Sequence, residues 1–208
     1  MIVNLHPQNP EQRYIRKAAE ILSSGGIVIY PTDTVYGMGC SIENKNAIER
    51  IYLIKRIHSD KPFSFICSDL KHISKYAHVS NAAFKTMKHL IPGPYTFVLP
   101  AVKMRTLPKI LVSKRKTVGI RVPDSRVAHD LVKALGHPNL STSVAIGERK
   151  MAKDPDEIAD NFKNQVDMIL NVGMLTSALS TVLDMTGERP VLLRRGAGDI
   201  SGIDVDEE

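Results

Sequence analysis

Gly25-Gly26-Ile27-Val28-Ile29-Tyr30-Pro31-Thr32-Asp33-Thr34-Val35-Tyr36-Gly37-Met38-Gly39 is the stretch that decides how this chain is read. Ile27 to Tyr30 are four apolar or aromatic residues in a row, the pattern of a buried strand. Pro31 closes it, because proline has no N–H to give to a ladder. Three polar side chains follow at once, Thr32, Asp33 and Thr34. Gly37 and Gly39 then predict a sharp turn or a close approach of the backbone to a ligand. A strand that runs out into small polar groups and glycines is how open α/β sheets build ligand sites. An ordinary turn has the same composition, so pattern alone leaves both readings open.

Upstream, Pro10 stands where a helix starts, and Tyr14, Ala18, Ile21 and Leu22 recur at helical spacing up to Gly25-Gly26. Downstream, Asn46 with Glu49 predicts a capped second helix carrying Ala47, Ile48, Ile51, Tyr52 and Ile54, ending in Lys55-Arg56. Phe63 to Cys67 reads as a strand, Asp69 to Tyr76 and Asn81 to Leu90 as helices. Pro92-Gly93-Pro94 is a break before a strand from Tyr95 to Leu99. Residues 103–116 hold six Lys or Arg and read as an exposed loop or short helix. A strand over Val118 to Val122, a helix over Ser125 to Leu135 capped by Gly136, and a strand over Leu140 to Val144 follow. Asp154-Pro155-Asp156-Glu157 opens another helix with acids, which suits its positive end. Strands are expected at Met168 to Asn171, Thr181 to Asp184 and Val191 to Arg194, and the acidic tail from Asp204 to Glu208 is expected to fray. Strands mixed with helices predict an α/β or α+β sheet.

The chain has 208 residues, enough for one large domain with a core that needs no staple. No run is long enough to span a membrane and no basic-then-apolar leader opens the sequence, so a cytoplasmic protein is expected. Cys40 and Cys67 are the only cysteines, lack CxxC spacing, and read as buried free thiols. No zinc or other metal-ligand set is recognisable. The net charge of +6 favours anionic partners such as nucleotides or RNA.

Candidate chemistry is a matter of hydroxyls and cations. There is no G-x-x-x-x-G-K-[ST], no G-x-G-x-x-G opening a helix and no HExxH. The histidines are scattered, and His58, near Lys55, is the one worth following. Thr32, Thr34, Ser141, Ser143, Ser180 and Thr181 offer hydrogen bonds near strand ends, and Lys55, Arg121 and Arg194 offer positive charge. Arginine can grip a carboxylate or phosphate through two parallel bonds, whereas lysine acts as a point charge. A structural ion pair for Arg121 and a helix-dipole role for Lys55 remain open beside these.

Tyr30-Pro31-Thr32-Asp33-Thr34-Val35-Tyr36-Gly37 resembles the signature of the YrdC/YciO family, whose active members are threonylcarbamoyl-AMP synthases. Pro92-Gly93-Pro94-Tyr95-Thr96-Phe97-Val98-Leu99 and Thr117-Val118-Gly119-Ile120-Arg121-Val122-Pro123 resemble further family stretches in the same order. So do Leu140-Ser141-Thr142-Ser143, Ser180-Thr181-Val182-Leu183-Asp184 and Leu193-Arg194-Arg195-Gly196. His6-Pro7-Gln8-Asn9-Pro10 and Lys114-Arg115-Lys116-Thr117 look most like the YciO branch. The resemblance implies one domain over 1–208, a twisted mixed sheet with surrounding helices and a basic concave cleft. It implies conversion of ATP, L-threonine and bicarbonate into threonylcarbamoyl-adenylate for modifying an adenosine in tRNA, with Mg²⁺ on the ATP and no tightly bound cofactor. By the same carry-over Thr34, Arg121, Ser143 and Ser180 would face threonine, and Lys55, Thr117 and Arg194 would face ATP. Double-stranded RNA is a family-associated partner, and Lys114, Arg115 and Lys116 are the candidate contacts for it.

Three departures stand out. The synthase pattern is Lys-x-Arg where this chain has Lys55-Arg56-Ile57, and Ser-x-Asn where it has Ser143-Val144-Ala145. It also has a histidine near the end of the following strand, where Phe65-Ile66 stands here. These departures favour a weak or specialised enzyme, or a nucleotide- or RNA-binding protein without efficient turnover.

Overall fold

The computed structural model describes residues 1–57, 63–102, 109–146, 150–175 and 178–207. His58 and residues 103–108 of the basic stretch lie outside the described residues. Eleven strands form one sheet in the spatial order β1 (Ile2–Asn4), β10 (Met168–Asn171), β2 (Val28–Tyr30), β3 (Gly37–Ser41), β7 (Asn139–Ser143), β4 (Ser64–Ile66), β6 (Thr117–Arg121), β5 (Tyr95–Pro100), β11 (Thr181–Asp184), β12 (Val191–Arg194) and β13 (Asp206–Glu207). Parallel and antiparallel neighbours are mixed: β2 runs parallel to β10 and antiparallel to β3. A separate hairpin pairs β8 (Ala145–Ile146) with β9 (Lys150–Met151). The helices are α1 (Gln12–Ser23), α2 (Lys45–Lys55), α3 (Leu70–Ile73), α4 (Asn81–Leu90), α5 (Arg126–Leu135) and α6 (Pro155–Phe162).

Side chains alternate between the two faces of a strand, and that alternation separates two cores. Ile29, Phe65, Phe97, Ile120 and Leu183 point to one face, where they pack with Ile48 and Ile51 of α2, Ile73 of α3, Met87 of α4 and Phe162 of α6. Val28, Tyr30, Ile66 and Leu170 point to the other face, against Ile15 and Leu22 of α1 and Val127 and Leu131 of α5. Each such fully buried aliphatic side chain contributes about 1.5–3 kcal/mol. On β5, β6 and β7 the positions alternating with the first core are Thr96, Val98, Thr117, Gly119, Arg121, Ser141 and Ser143, and they line a cavity instead of a helix. The second face is thus apolar under α1 and α5 and polar beside them.

Most elements match the sequence reading. Helix α4 and strands β10, β11 and β12 have the expected limits, and α5 is capped by Ser125, whose side chain accepts from the Ala128 N–H, and by Gly136 at φ 82°. Four readings are corrected. Gly37 and Gly39 do not turn; they lie in β3, paired with β2 and β7. A Cβ on Gly39 would collide with the Leu140 carbonyl and come within 2.9 Å of the Tyr30 ring, so this glycine lets Tyr30 lie across the sheet. The cap of α2 is Asn44, which accepts from the Ala47 N–H, and not Asn46. The helix expected over Asp69 to Tyr76 is only the single turn α3, capped by Asp69. The acidic tail pairs as β13 on β12, and Arg189 bonds Asp204 while Arg195 bonds Glu207 at 2.9 Å. Its charges meet cations before they can repel each other.

Candidate functional site

The open part of the second face forms a cavity of about 290 Å³ whose lining includes Thr32, Ser64, Thr117, Arg121, Ser143, Ser180 and Arg194. Its floor comes from β7, β4, β6, β5 and β11, whose cleft-facing positions are largely small or hydroxylated, with Val98, Val182 and Arg121 among them. Gly119 and Gly37 keep the floor low: a Cβ at Gly37 would sit 3.0 Å from the Ser141 hydroxyl.

Arg121 is the buried cation of this cleft, 8% exposed. It ends β6, where the alternation turns its side chain to the cleft. One terminal guanidinium nitrogen, Nη2, donates to Asp33 Oδ1 at 2.8 Å and to Thr34 Oγ1 at 3.1 Å. Its Nε is buried and has no partner among the described residues. Burial pulls Arg121 below its ordinary pKa, against the pull of Asp33. Asp33 is itself pushed up by burial, opposed by the Arg121 charge.

Asp33 also fixes the loop that carries it. Its Oδ2 accepts the Asp124 N–H at 3.0 Å, and the Ser125 hydroxyl donates to the Pro31 carbonyl at 3.0 Å. The loop after β2 is therefore tied to the turn that opens α5. Inside it, Thr32 Oγ1 donates to the Val35 carbonyl at 2.6 Å and lies 2.9 Å from Thr34 Oγ1. Thr34 reaches the site by holding Arg121.

Across the floor, Arg194 donates from Nε and Nη2 to the Ser180 carbonyl at 3.1 and 2.8 Å, and from Nη2 to the Ser180 hydroxyl at 3.0 Å. That hydroxyl lies 2.8 Å from Thr96 Oγ1. Burial, and then the charge of Arg121, pull Arg194 below its ordinary pKa. Two guanidinium groups that repel each other share one cleft, and an anion between them would relieve that repulsion.

Thr117 stands at the opposite end of β6 and shares its hydroxyl with Ser113 at 2.7 Å. Lys114, Arg115 and Lys116 form the exposed turn before it, with Lys116 in the left-handed region at φ 60°. Lys114, Arg115, Val98 and Thr117 line a groove that continues from the cleft along β5 and β6. The structure thus brings Arg121, Ser143, Ser180, Thr117 and Arg194 into one cleft, with Thr34 behind Arg121.

Lys55 meets this set through Ser143. At the end of α2 it is half-buried, donates to the Ser143 carbonyl at 2.7 Å, and lines a neighbouring pocket with Ile57 and Ala145. Burial pulls its pKa below the ordinary lysine value. Ile57 is half-buried against the first core, and Ile66 is fully buried in the second. Asp33, Thr96 and Ser64 belong to the site, and the sequence reading does not single them out for it. Thr96 carries a usable signal, since it alternates with Tyr95 and Phe97 on a strand that the sequence makes plain.

The family model Sua5/YciO/YrdC, described as telomere recombination, matches residues 20–196. The chain is 45% identical over 197 residues to the uncharacterized protein YciO of Escherichia coli, covering 94% of this chain and 95% of that one. The crystal structure of E. coli YciO superposes with a TM-score of 0.90 at 44% identity, over 97% of this chain and 98% of that one. A threonylcarbamoyl-AMP synthase of Vibrio vulnificus is 30% identical over 159 residues, 75% of this chain and 84% of the relative. The crystal structure of P. abyssi Sua5 complexed with L-threonine has a TM-score of 0.87 at 29% identity, over 94% of this chain and 57% of that one. Among the described residues no helix is long and apolar enough to cross a membrane.

Proposed function

Because this chain belongs to the Sua5/YciO/YrdC family, we propose that its cleft binds L-threonine and ATP and joins them, with bicarbonate, into threonylcarbamoyl-adenylate. The observation that carries this reading is Arg121, a buried cation in the cleft lining that Asp33 and Thr34 lock in place. A guanidinium fixed in a cleft wall is a receptor for a carboxylate. Bicarbonate would take up a proton and lose water to give CO₂, and the threonine amine would attack it and lose a proton to give a carbamate. A carbamate oxygen would then attack the α-phosphorus, and pyrophosphate would leave. Arg194 and Thr117 line the same cleft and suit the nucleotide, so positioning and charge neutralisation would supply most of the acceleration. Mg²⁺ would come with ATP as part of the nucleotide substrate. The apolar Ile57 and Ala145 beside Lys55 favour turnover weaker than that of an enzyme with the full synthase pattern. Buried Cys40 and Cys67 suit a reducing, cytoplasmic setting.

The test is to incubate the protein with ATP, Mg²⁺, bicarbonate and threonine and follow pyrophosphate and the adenylate. Product that requires both threonine and bicarbonate supports the reading. No such product at large enzyme excess, where an active synthase makes it, rejects it.

A second reading has its own observation. Lys114, Arg115 and Lys116 crown a turn at the end of the groove that leads from the cleft. An RNA backbone, from tRNA or a double-stranded segment, could lie on them, and the cleft would then bind without turning over.

A further inference from the structure

We propose that the basic pocket between α3 and the end of α5 binds a phosphate group, carried on a small phosphate compound or on an RNA backbone. The pocket measures about 310 Å³, and Ser68, Asp69, Lys71, His72, Lys75 and Lys133 supply its polar walls. It shares no lining residue with the cleft, with the groove beside Lys114 or with the pocket beside Lys55. Every residue of its walls lies within the described stretches 63–102 and 109–146. The inference is therefore independent of the chemistry in the cleft.

Lys71, Lys75 and Lys133 are exposed, and among the described residues none of them has an ion-pair partner. Asp69 is the one carboxylate in the wall, and both its oxygens serve the cap of α3. Its Oδ1 accepts the His72 N–H at 2.7 Å and its Oδ2 accepts the Ser68 hydroxyl at 3.0 Å. On α5, Asp130 is taken by Arg126 and Gln12. The sequence around α3 brings no other acid, since residues 70–123 carry eleven Lys or Arg and no Asp or Glu. The carbonyl end of α5 adds about half a negative charge. Three ammonium groups against one carboxylate and that half charge leave the pocket cationic. His72 adds an oriented donor. Its Nδ1 accepts the Ser68 N–H at 3.3 Å, which places the proton of the neutral ring on Nε2. That Nε2–H has no partner among the described residues. Burial, and then the charge of Lys75, hold the ring below its ordinary pKa, with His137 acting the same way and Asp69 opposing. A phosphate suits these donors better than a carboxylate, because its tetrahedral oxygens accept from several directions and the donors come from two elements. The walls are mostly polar, so charge and not an apolar body selects the ligand.

The test labels the whole chain with ¹³C at histidine Cε1 and titrates it with inorganic phosphate, with a short RNA duplex, and with chloride at matched ionic strength. The His72 signal, assigned with His72→Gln, should shift saturably, while that of His6, just past the edge strand β1, stays still. Binding should also raise the His72 pKa, because the anion supplies a counter-charge to the protonated ring. Lys75→Gln and Lys133→Gln should each weaken binding about two- to fivefold, the worth of an exposed ion pair. Lys133→Glu should abolish the shift. Lys85→Gln on α4, exposed but outside the pocket, should change nothing. A shift with phosphate alone supports the proposal with a small phosphate compound as ligand. A shift with the duplex, whose log–log salt slope falls by about 0.7 to 0.9 for each lysine removed, supports it with a backbone phosphate. No saturable His72 shift with either ligand, a shift that chloride reproduces, unchanged affinity in Lys75→Gln and Lys133→Gln, or equal weakening by Lys85→Gln would each overturn it.

Discussion

Asp33 and Arg121 form an ion pair of 2.8 Å in which one-tenth or less of either side chain is exposed. The two residues are 88 positions apart in the chain, and their contact joins the loop after β2 to the end of β6. Removing one partner of a buried pair leaves the other charge uncompensated, at a cost of about 3–5 kcal/mol. Asp33→Ala should therefore lower unfolding free energy in urea by about that amount. Asp33→Asn should cost less, because its amide oxygen still accepts from the guanidinium. A loss in Asp33→Ala below about 1 kcal/mol, the size of a surface pair, would mean the pair is solvated in solution. Threonine binding should fall most in Asp33→Ala, where Arg121 is free to turn.

Gly39→Ala is expected to be more disruptive than a helix or loop glycine replacement. The new Cβ would meet the Leu140 carbonyl, with Asn139 Nδ2 and the Tyr30 ring each at 2.9 Å, and backbone cannot swing aside as a flexible side chain can. Overpacking of this kind costs about 1–3 kcal/mol. Gly136→Ala is the contrast, with nothing near its Cβ but a φ of 82°. Comparing the two in urea separates collision from backbone strain. Equal melting of wild type and Gly39→Ala would show that β3 and β7 can part without cost.

The pH dependence of stability should carry a His72 signature. Burial first, and then the charge of Lys75, hold His72 below the ordinary histidine pKa, with Asp69 opposing. Its Nδ1 accepts from the Ser68 N–H at 3.3 Å, a bond that protonation destroys. The folded state thus binds fewer protons than the unfolded chain just below about pH 6.5. The His72 contribution is fully present above that pH and is lost as pH falls through it toward the folded value. Urea unfolding from about pH 7.5 down to 5.5 should show a steeper decline in wild type than in His72→Gln. Parallel curves would rule this residue out as a source of acid sensitivity.

The basic turn should make RNA binding salt-dependent if RNA lies there. Each phosphate that the protein neutralises adds about 0.7 to 0.9 to the log–log salt slope, so removing a cation from the turn should flatten it by that step. Lys114→Ala and Arg115→Ala are direct charge removals. At Lys116 the left-handed φ of 60° makes asparagine a better neutral replacement than alanine. The triple variant should lose affinity and slope for all sequences alike. A slope near zero in the wild type would reject an RNA-binding turn.

Much of this is legible in the sequence because local rules agree with the fold. Helix α5 carries its serine cap, apolar stripe and glycine stop in the right places, and β5 and β6 alternate as strands with one wet face should. The glycines of β3 mislead, because composition cannot tell a turn from a strand crossed by a tyrosine ring; only the Tyr30 side chain, packed from β2, decides it. Asp33 is visible in the motif, but its partner is far along the chain, and nothing local says which of several arginines it meets. Resemblance places Lys55 with the cleft cations, and what the sequence does not show is that helix α2 brings it to the carbonyl of cleft-lining Ser143 from a neighbouring pocket. The pairing of the acidic tail depends on Arg189 and Arg195, whose positions follow from β12 and not from the tail.

Ile57→Arg, alone and with Ala145→Asn, tests how far that second pocket has diverged from the synthase pattern. Ile57 is half-buried, packs on the first core and lines the pocket next to Lys55. Its backbone N–H already donates to the Tyr52 carbonyl, so the substitution leaves the end of α2 intact. An arginine there can lay its stem on Ile54 and keep its head toward the pocket. If ATP phosphates reach this side of Ser143, the added charged hydrogen bond should strengthen ATP binding by part of about 1.5–3 kcal/mol. That is up to roughly a hundredfold in Kd. Lys55→Ala should act in the opposite direction. Calorimetric titration with ATP, run beside thermal melts, decides between the outcomes. A variant that melts as wild type and binds ATP more tightly shows a pocket depleted of donors. One that melts much lower and binds no better shows that Ile57 belongs to the core, and that nucleotide phosphates do not come to this side of the strand.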